Sequence, residues 1–180
     1  MLKKAYRDLI KSVCDDDIVI FCESEGPSSA LTKGESGAFE PSWSGNGPRI
    51  LVTSKTRANF QPKLGKTGIQ KFDQFADGVV SDADSDLTSA IYTLAHEYGH
   101  FASFEVGTRD AEYEVALNVF NDGRAKDLTA TQKDLIIKEE EIAWANSKAI
   151  LDGLYQVDET SFNVRRDHDL QVYREILSVI

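Results

Sequence analysis

All four prolines of this chain, Pro27, Pro41, Pro48 and Pro62, precede residue 63, and none follows residue 85. Proline removes a backbone donor and breaks helix interiors, so this division separates a first part of short segments from a second part free to build long helices. The first part holds two β-branched and apolar runs, Ile18–Cys22 and Arg49–Ser54, each bounded by polar or turn-forming residues, and each reads as a short strand. An amphipathic helix over 2–14 precedes them, with Leu2, Ala5, Leu9, Ile10 and Val13 at helical spacing and the acids Asp15–Asp17 behind it. Residues 23–48, rich in Gly, Ser and Pro, read as mostly loop, and a short helix is expected near 68–76. The second part reads as four helices: 86 to about 106, 109–121, 129 or 131 to 153, and 166–179. The expected fold class is α+β, with a short N-terminal sheet followed by a mostly helical C-terminal part. At 180 residues this suits one domain over 1–180.

The helix beginning at Asp86 has an apolar stripe of Leu87, Ala90, Ile91, Leu94, Tyr98, Phe101 and Ala102, with acids at its start and Gly107 as a stop. Beside that stripe runs His96-Glu97-Tyr98-Gly99-His100, which holds two of the three histidines in the chain. Residues four apart on a helix share a face, so both imidazoles can meet one ion. Glu97 points beside them, where a carboxylate can accept a proton from water at that ion, the role of a general base. Gly99 costs the helix about 1 kcal/mol relative to alanine, which a close backbone neighbour would explain.

A catalytic zinc site takes a third protein ligand. Glu139, Glu140 and Glu141 point about 100° apart on their helix, so only one faces inward. Glu140 aligns with Ile136, Ala143, Ser147, Ile150, Leu151 and Leu154 and is the first choice; Glu139 is the second, and Glu141 falls on the solvent side. Acids that would orient the imidazoles through their free N–H groups include Asp110 and Asp122. Donors for an oxyanion include Tyr155, His168 and Tyr173, all downstream of the ligand helix. Arg165-Arg166 suits a substrate carboxylate or a plain surface pair.

HEYGH with a downstream glutamate resembles the gluzincin division of zincin metallopeptidases, and Glu140-Glu141-Ile142-Ala143 matches the E-x-x-A placement of small ImmA/IrrE-like and phage-encoded members. The resemblance covers residues 86–155. It implies a zinc-dependent peptidase acting on proteins or peptides, with Zn2+ held by His96, His100 and Glu140, and with Arg49–Ser54 as the edge strand along which a peptide extends. The chain departs from the ImmA/IrrE pattern after Ala143, where Trp144-Ala145-Asn146 follows, and no helix-turn-helix stands out. A catalytically silent binding protein of the same fold is the alternative, and Glu97 argues against it.

A net charge of −10 argues against nucleic acid or anionic lipid as partners. No apolar run approaches the roughly 20 residues that span a bilayer. Arg7, Asp8 and Lys11 interrupt any signal-peptide core, and Cys14 and Cys22 match neither a zinc pair nor a disulfide framework. A cytoplasmic location is expected.

Overall fold

The structure, a computed structural model, describes residues 2–23, 37–41, 47–53, 58–60, 84–105 and 111–178. Helix α1 (Leu2–Asp15) buries Ala5, Tyr6, Leu9, Ile10, Val13 and Cys14 along one face. The chain reverses through Asp16 and Asp17, the latter at φ 58°, a left-handed conformation that aspartate tolerates. It then enters β1 (Val19–Glu23), which pairs in parallel with β3 (Arg49–Thr53), Ile20 opposite Ile50 and Cys22 opposite Val52. Two shorter strands complete a four-stranded sheet of order β2-β3-β1-β4: β2 (Gly37–Glu40), antiparallel to β3, and β4 (Ala58–Phe60), antiparallel to β1.

This sheet adds to one expectation and corrects another. The span 23–48 contains a strand, β2, and the Arg49 strand lies inside the sheet, with β2 at the edge. The physical reason is burial. Ile50, Leu51 and Val52 are all buried, as a strand covered on both faces requires, whereas every residue of β2 is only half-buried. Arg49 also grips the edge strand, its Nε and Nη2 donating to Glu40 at 2.7 and 3.0 Å. Ser54 and the helix expected near 68–76 lie outside the described residues.

Four helices follow: α2 (Asp84–Glu105), α3 (Ala111–Asn121), α4 (Ala130–Asp152) and α5 (Glu159–Ser178). Local signals set their ends. Gly123, at φ 71°, closes α3: its own N–H donates to Phe120 and that of Arg124 to Val119, the two bonds of a Schellman turn. Thr129 and Gln132 form a capping box at the start of α4. Asp158 accepts hydrogen bonds from the backbone N–H groups of Thr160 and Ser161, so α5 begins at Glu159 and not near 166.

The main core joins α1, β1, β3, α2, α4 and α5, and includes Leu9, Ile20, Ile50, Ile91, Leu94, Trp144 and Phe162. A second cluster of Tyr113, Ala116, Leu128, Ile136 and Leu177 binds α3 to α4 and α5. Tyr98 packs on the main core and donates its hydroxyl proton to Asp16. Among the described residues no helix is long and apolar enough to cross a membrane.

Helix α2 lies between the sheet and α4, so it is buried on the polar side as well as the apolar one. Thr93, His96, Glu97, His100 and Ser103 are all buried. The crossing with α4 is very close at Gly99, where an added Cβ would stand 2.2 Å from the carbonyl oxygen of Ala143. Asn146 seals it, its Nδ2 donating to Gly99 O at 3.1 Å and to Ser103 Oγ at 3.2 Å. Helix propensity alone favours alanine at position 99. The crossing reverses that sign: Gly99→Ala is expected to lower stability by roughly 1–3 kcal/mol, read as a lower denaturation midpoint.

Candidate metal centre

One turn of α2 brings the His96 and His100 rings to a centroid separation of 4.7 Å. The Gly99–Ala143 crossing then lowers α4 onto them, one turn of α4 placing Glu140 above both rings. His96 Nε2 stands 3.2 Å from Glu140 Oε2, and His100 Nε2 stands 3.6 Å from Glu140 Oε1. The other nitrogen of each ring faces a different carboxylate. His96 Nδ1 is 3.4 Å from Glu97 Oε1, and His100 Nδ1 is 3.7 Å from Glu139 Oε1. All five side chains are buried, at 6 to 8% exposure. Two of the three consecutive glutamates thus face inward where helical spacing predicts one, because the two imidazoles present a nitrogen to each.

Trp144 stacks on His96 at 4.5 Å and meets Phe162 edge-on, so an aromatic wall backs the first imidazole. On the sheet side, Gly37 faces Glu97: a Cβ built there would lie 2.8 Å from Glu97 Oε1. Tyr173 joins the cluster from α5. Burial, then the negative charge of Glu140 and Glu97, keep its phenol well above the usual range and therefore protonated. The neighbouring pair fixes this register, Arg174 Nη2 donating to Glu141 at 2.9 Å.

Burial opposes charge on the imidazoles, yet the carboxylates prevail. His96 is raised by Glu140 and Glu97, and His100 is raised to about 10 by Glu140 and Glu139. Burial likewise disfavours charge on Glu140, but His100 and His96 hold it well below the usual carboxylate range. The carboxylates thus favour positive charge at the two imidazoles, against the cost of burial. An ion of charge +2 placed among these atoms replaces the imidazole protons.

The residues fit zinc. A tetrahedral ion with bonds of 2.0–2.2 Å sets its ligand atoms about 3.3–3.6 Å apart. The two Nε2 atoms approach the Glu140 carboxylate at 3.2 and 3.6 Å, each nearest a different oxygen, which brings the three side chains close enough to share one ion. His96 Nε2 and Glu140 Oε2 are buried and adjacent, yet neither makes a hydrogen bond, an arrangement that a shared cation resolves. Two imidazoles and one carboxylate are also a donor set suited to zinc. The ligand atoms of His96, Glu97 and His100 all lie within 4.8 Å of one another. The cluster matches the HExxH-plus-glutamate metal site of the gluzincin type.

The other candidates are spread more widely. Glu141 is on the outer face of α4, as expected, paired with Arg174. Tyr155 packs at the border of the main core beside Tyr92, and His168 is exposed on α5. Arg165 bonds Asp169 and Ser89, tying α5 to α2, while Arg166 pairs with Asp167. Asp122 is exposed beyond the end of α3, Asp110 lies outside the described residues, and the acid that faces His100 Nδ1 is Glu139. The sequence pattern assigns Trp144 no role at the site, although its spacing four residues after Glu140 sets it on the same helix face. Gly37 carried no local signal.

Zinc ligands bind best when their second nitrogen is held by a carboxylate. Glu139→Gln is therefore expected to weaken zinc affinity 10- to 100-fold while leaving a measurable site, as read by competition with a chromogenic chelator. Comparison with protein-family models, curated proteins and solved structures yields no match for this chain.

Proposed function

We propose that this chain is a zinc-dependent metallopeptidase of the gluzincin type, acting on protein or peptide substrates. The observation that carries this reading is the convergence of His96, His100 and Glu140 in one buried cluster that also contains Glu97. A pure binding site has no use for that fourth group.

In this reading His96 Nε2, His100 Nε2 and a Glu140 oxygen hold the zinc. Bound there, zinc supplies Lewis acidity, polarising a peptide carbonyl and making water acidic near neutral pH. Glu97 takes a proton from the attacking water as its oxygen bonds to the carbonyl carbon, then delivers that proton to the nitrogen as the C–N bond breaks. Glu139 faces His100 Nδ1 at 3.7 Å and Trp144 stacks on His96, and these two neighbours orient the rings.

The tetrahedral intermediate requires a donor for its oxyanion. Tyr173 suits that role, since its phenol stays protonated beside Glu140 and Glu97. Its placement favours it over His168, exposed on α5, and over Tyr155, beside Tyr92. The outer edge of β2 has the position for aligning an extended substrate, because β2 ends the sheet and runs against α2.

Metal analysis combined with digestion of a cell-lysate proteome tests the proposal. Wild type is expected to carry one zinc and to cleave. Glu97→Gln should keep the zinc and lose 10²- to 10⁴-fold in rate, whereas Glu140→Ala should lose both metal and cleavage. Stably folded wild-type protein that stays zinc-free under metal-replete conditions sinks the reading.

A further inference from the structure

Resting on the metallopeptidase reading, we infer that Gly37 is a positioning residue: the bare backbone of the edge strand at Gly37 holds the Glu97 carboxylate in place for proton transfer.

The space at Gly37 admits a side chain only if a neighbour shifts. A Cβ at position 37 would lie 2.8 Å from Glu97 Cγ, 2.8 Å from Glu97 Oε1 and 2.8 Å from Thr93 Cγ2. On its other side Oε1 faces His96 Nδ1 at 3.4 Å. The carboxylate is therefore confined between strand backbone and imidazole.

The strand has little freedom to retreat from an added methyl. Gly37 and Phe39 lie two apart and so share one face of β2. Phe39 meets Phe101 at 5.9 Å and Phe104 at 6.1 Å, both edge-on. Glu97, Phe101 and Phe104 form one ridge of α2, four and then three residues apart. Phe39 thus anchors the strand along the ridge on which Glu97 stands, and the two bonds from Arg49 to Glu40 anchor its far end to β3. Thr93 is β-branched and stiff at χ1. The group that yields most easily is the far end of Glu97, so an alanine at 37 displaces the proposed base and leaves the metal ligands where they are.

A misplacement of about 1 Å in a reacting group costs about 100-fold in rate. Zinc-loaded Gly37→Ala is expected to keep stoichiometric zinc, lose about 100-fold in kcat and hold KM within about twofold, using a peptide from the wild-type lysate digest. Glu97→Gln should then cost far less in the Gly37→Ala background than in wild type, because the two changes act on one group. Independently of turnover, the Glu97 carboxylate 13C resonance, assigned by its absence in Glu97→Gln, should move in Gly37→Ala. Gly37→Ala/Thr93→Ser, which removes the stiff clash, serves if the single variant folds poorly, and should regain stability without regaining kcat.

Wild-type kcat with an unmoved Glu97 resonance in a folded position-37 variant overturns the inference. So does loss of zinc in parallel with turnover, or full recovery of kcat in Gly37→Ala/Thr93→Ser. If wild type binds zinc but cleaves nothing, the metallopeptidase reading fails on its own, and the resonance still decides the role of Gly37.

Discussion

At Gly99 the central helix has no side chain, and the carbonyl oxygen of Ala143 occupies the space a methyl group would need. The site depends on that approach. It brings α4 against α2 closely enough for one carboxylate, Glu140, to reach the Nε2 atoms of two imidazoles a turn apart. Glycine inside a helix costs about 1 kcal/mol in propensity. The crossing offsets this through the apolar contacts around Trp144 and the two bonds donated by Asn146.

Burying five ionisable side chains together is unfavourable unless each is matched. Their arrangement alternates: the two imidazoles have a carboxylate at each nitrogen, with Glu140 shared between them. A low surrounding dielectric makes these interactions strong and makes a divalent cation a good substitute for the imidazole protons. Packed groups flank the cluster on both sides. Phe162 and Trp144 form one wall, and the β2 backbone with Phe39 forms the other. The helices that carry the site are themselves part of the core.

The same sandwich explains why the polar face of α2 is not open as its periodicity suggests. From the sequence, the ligands stand beside the apolar stripe on a face that an isolated helix would turn to solvent. In the fold that face is covered by α4, and the charges it carries become the mutual partners of the charges on α4. Glu139, an alternative ligand by angle alone, is separated from Glu140 by the ring atom it meets: Nδ1 of His100 for Glu139, Nε2 for Glu140.

What the sequence determined by itself was whatever one helix decides locally. The i, i+4 pairing of His96 and His100, the inward turn of Glu140 and outward turn of Glu141, the capping box at Thr129 and the stop at Gly123 follow from 3.6 residues per turn and from unsatisfied backbone groups at helix ends. Even the demand for a close neighbour at Gly99 was legible, though not which backbone would come. The tertiary structure decided what depends on two elements at once. Strand β2 is four residues long and exists through its pairing with β3; the edge position falls to it because Ile50, Leu51 and Val52 need cover on both faces. Tyr173 and Gly37 reach the cluster from 33 residues after Glu140 and 60 before Glu97, distances over which helical periodicity carries no information. Spacing along one helix placed the histidines, and packing between elements that share no local pattern supplied the rest of their surroundings.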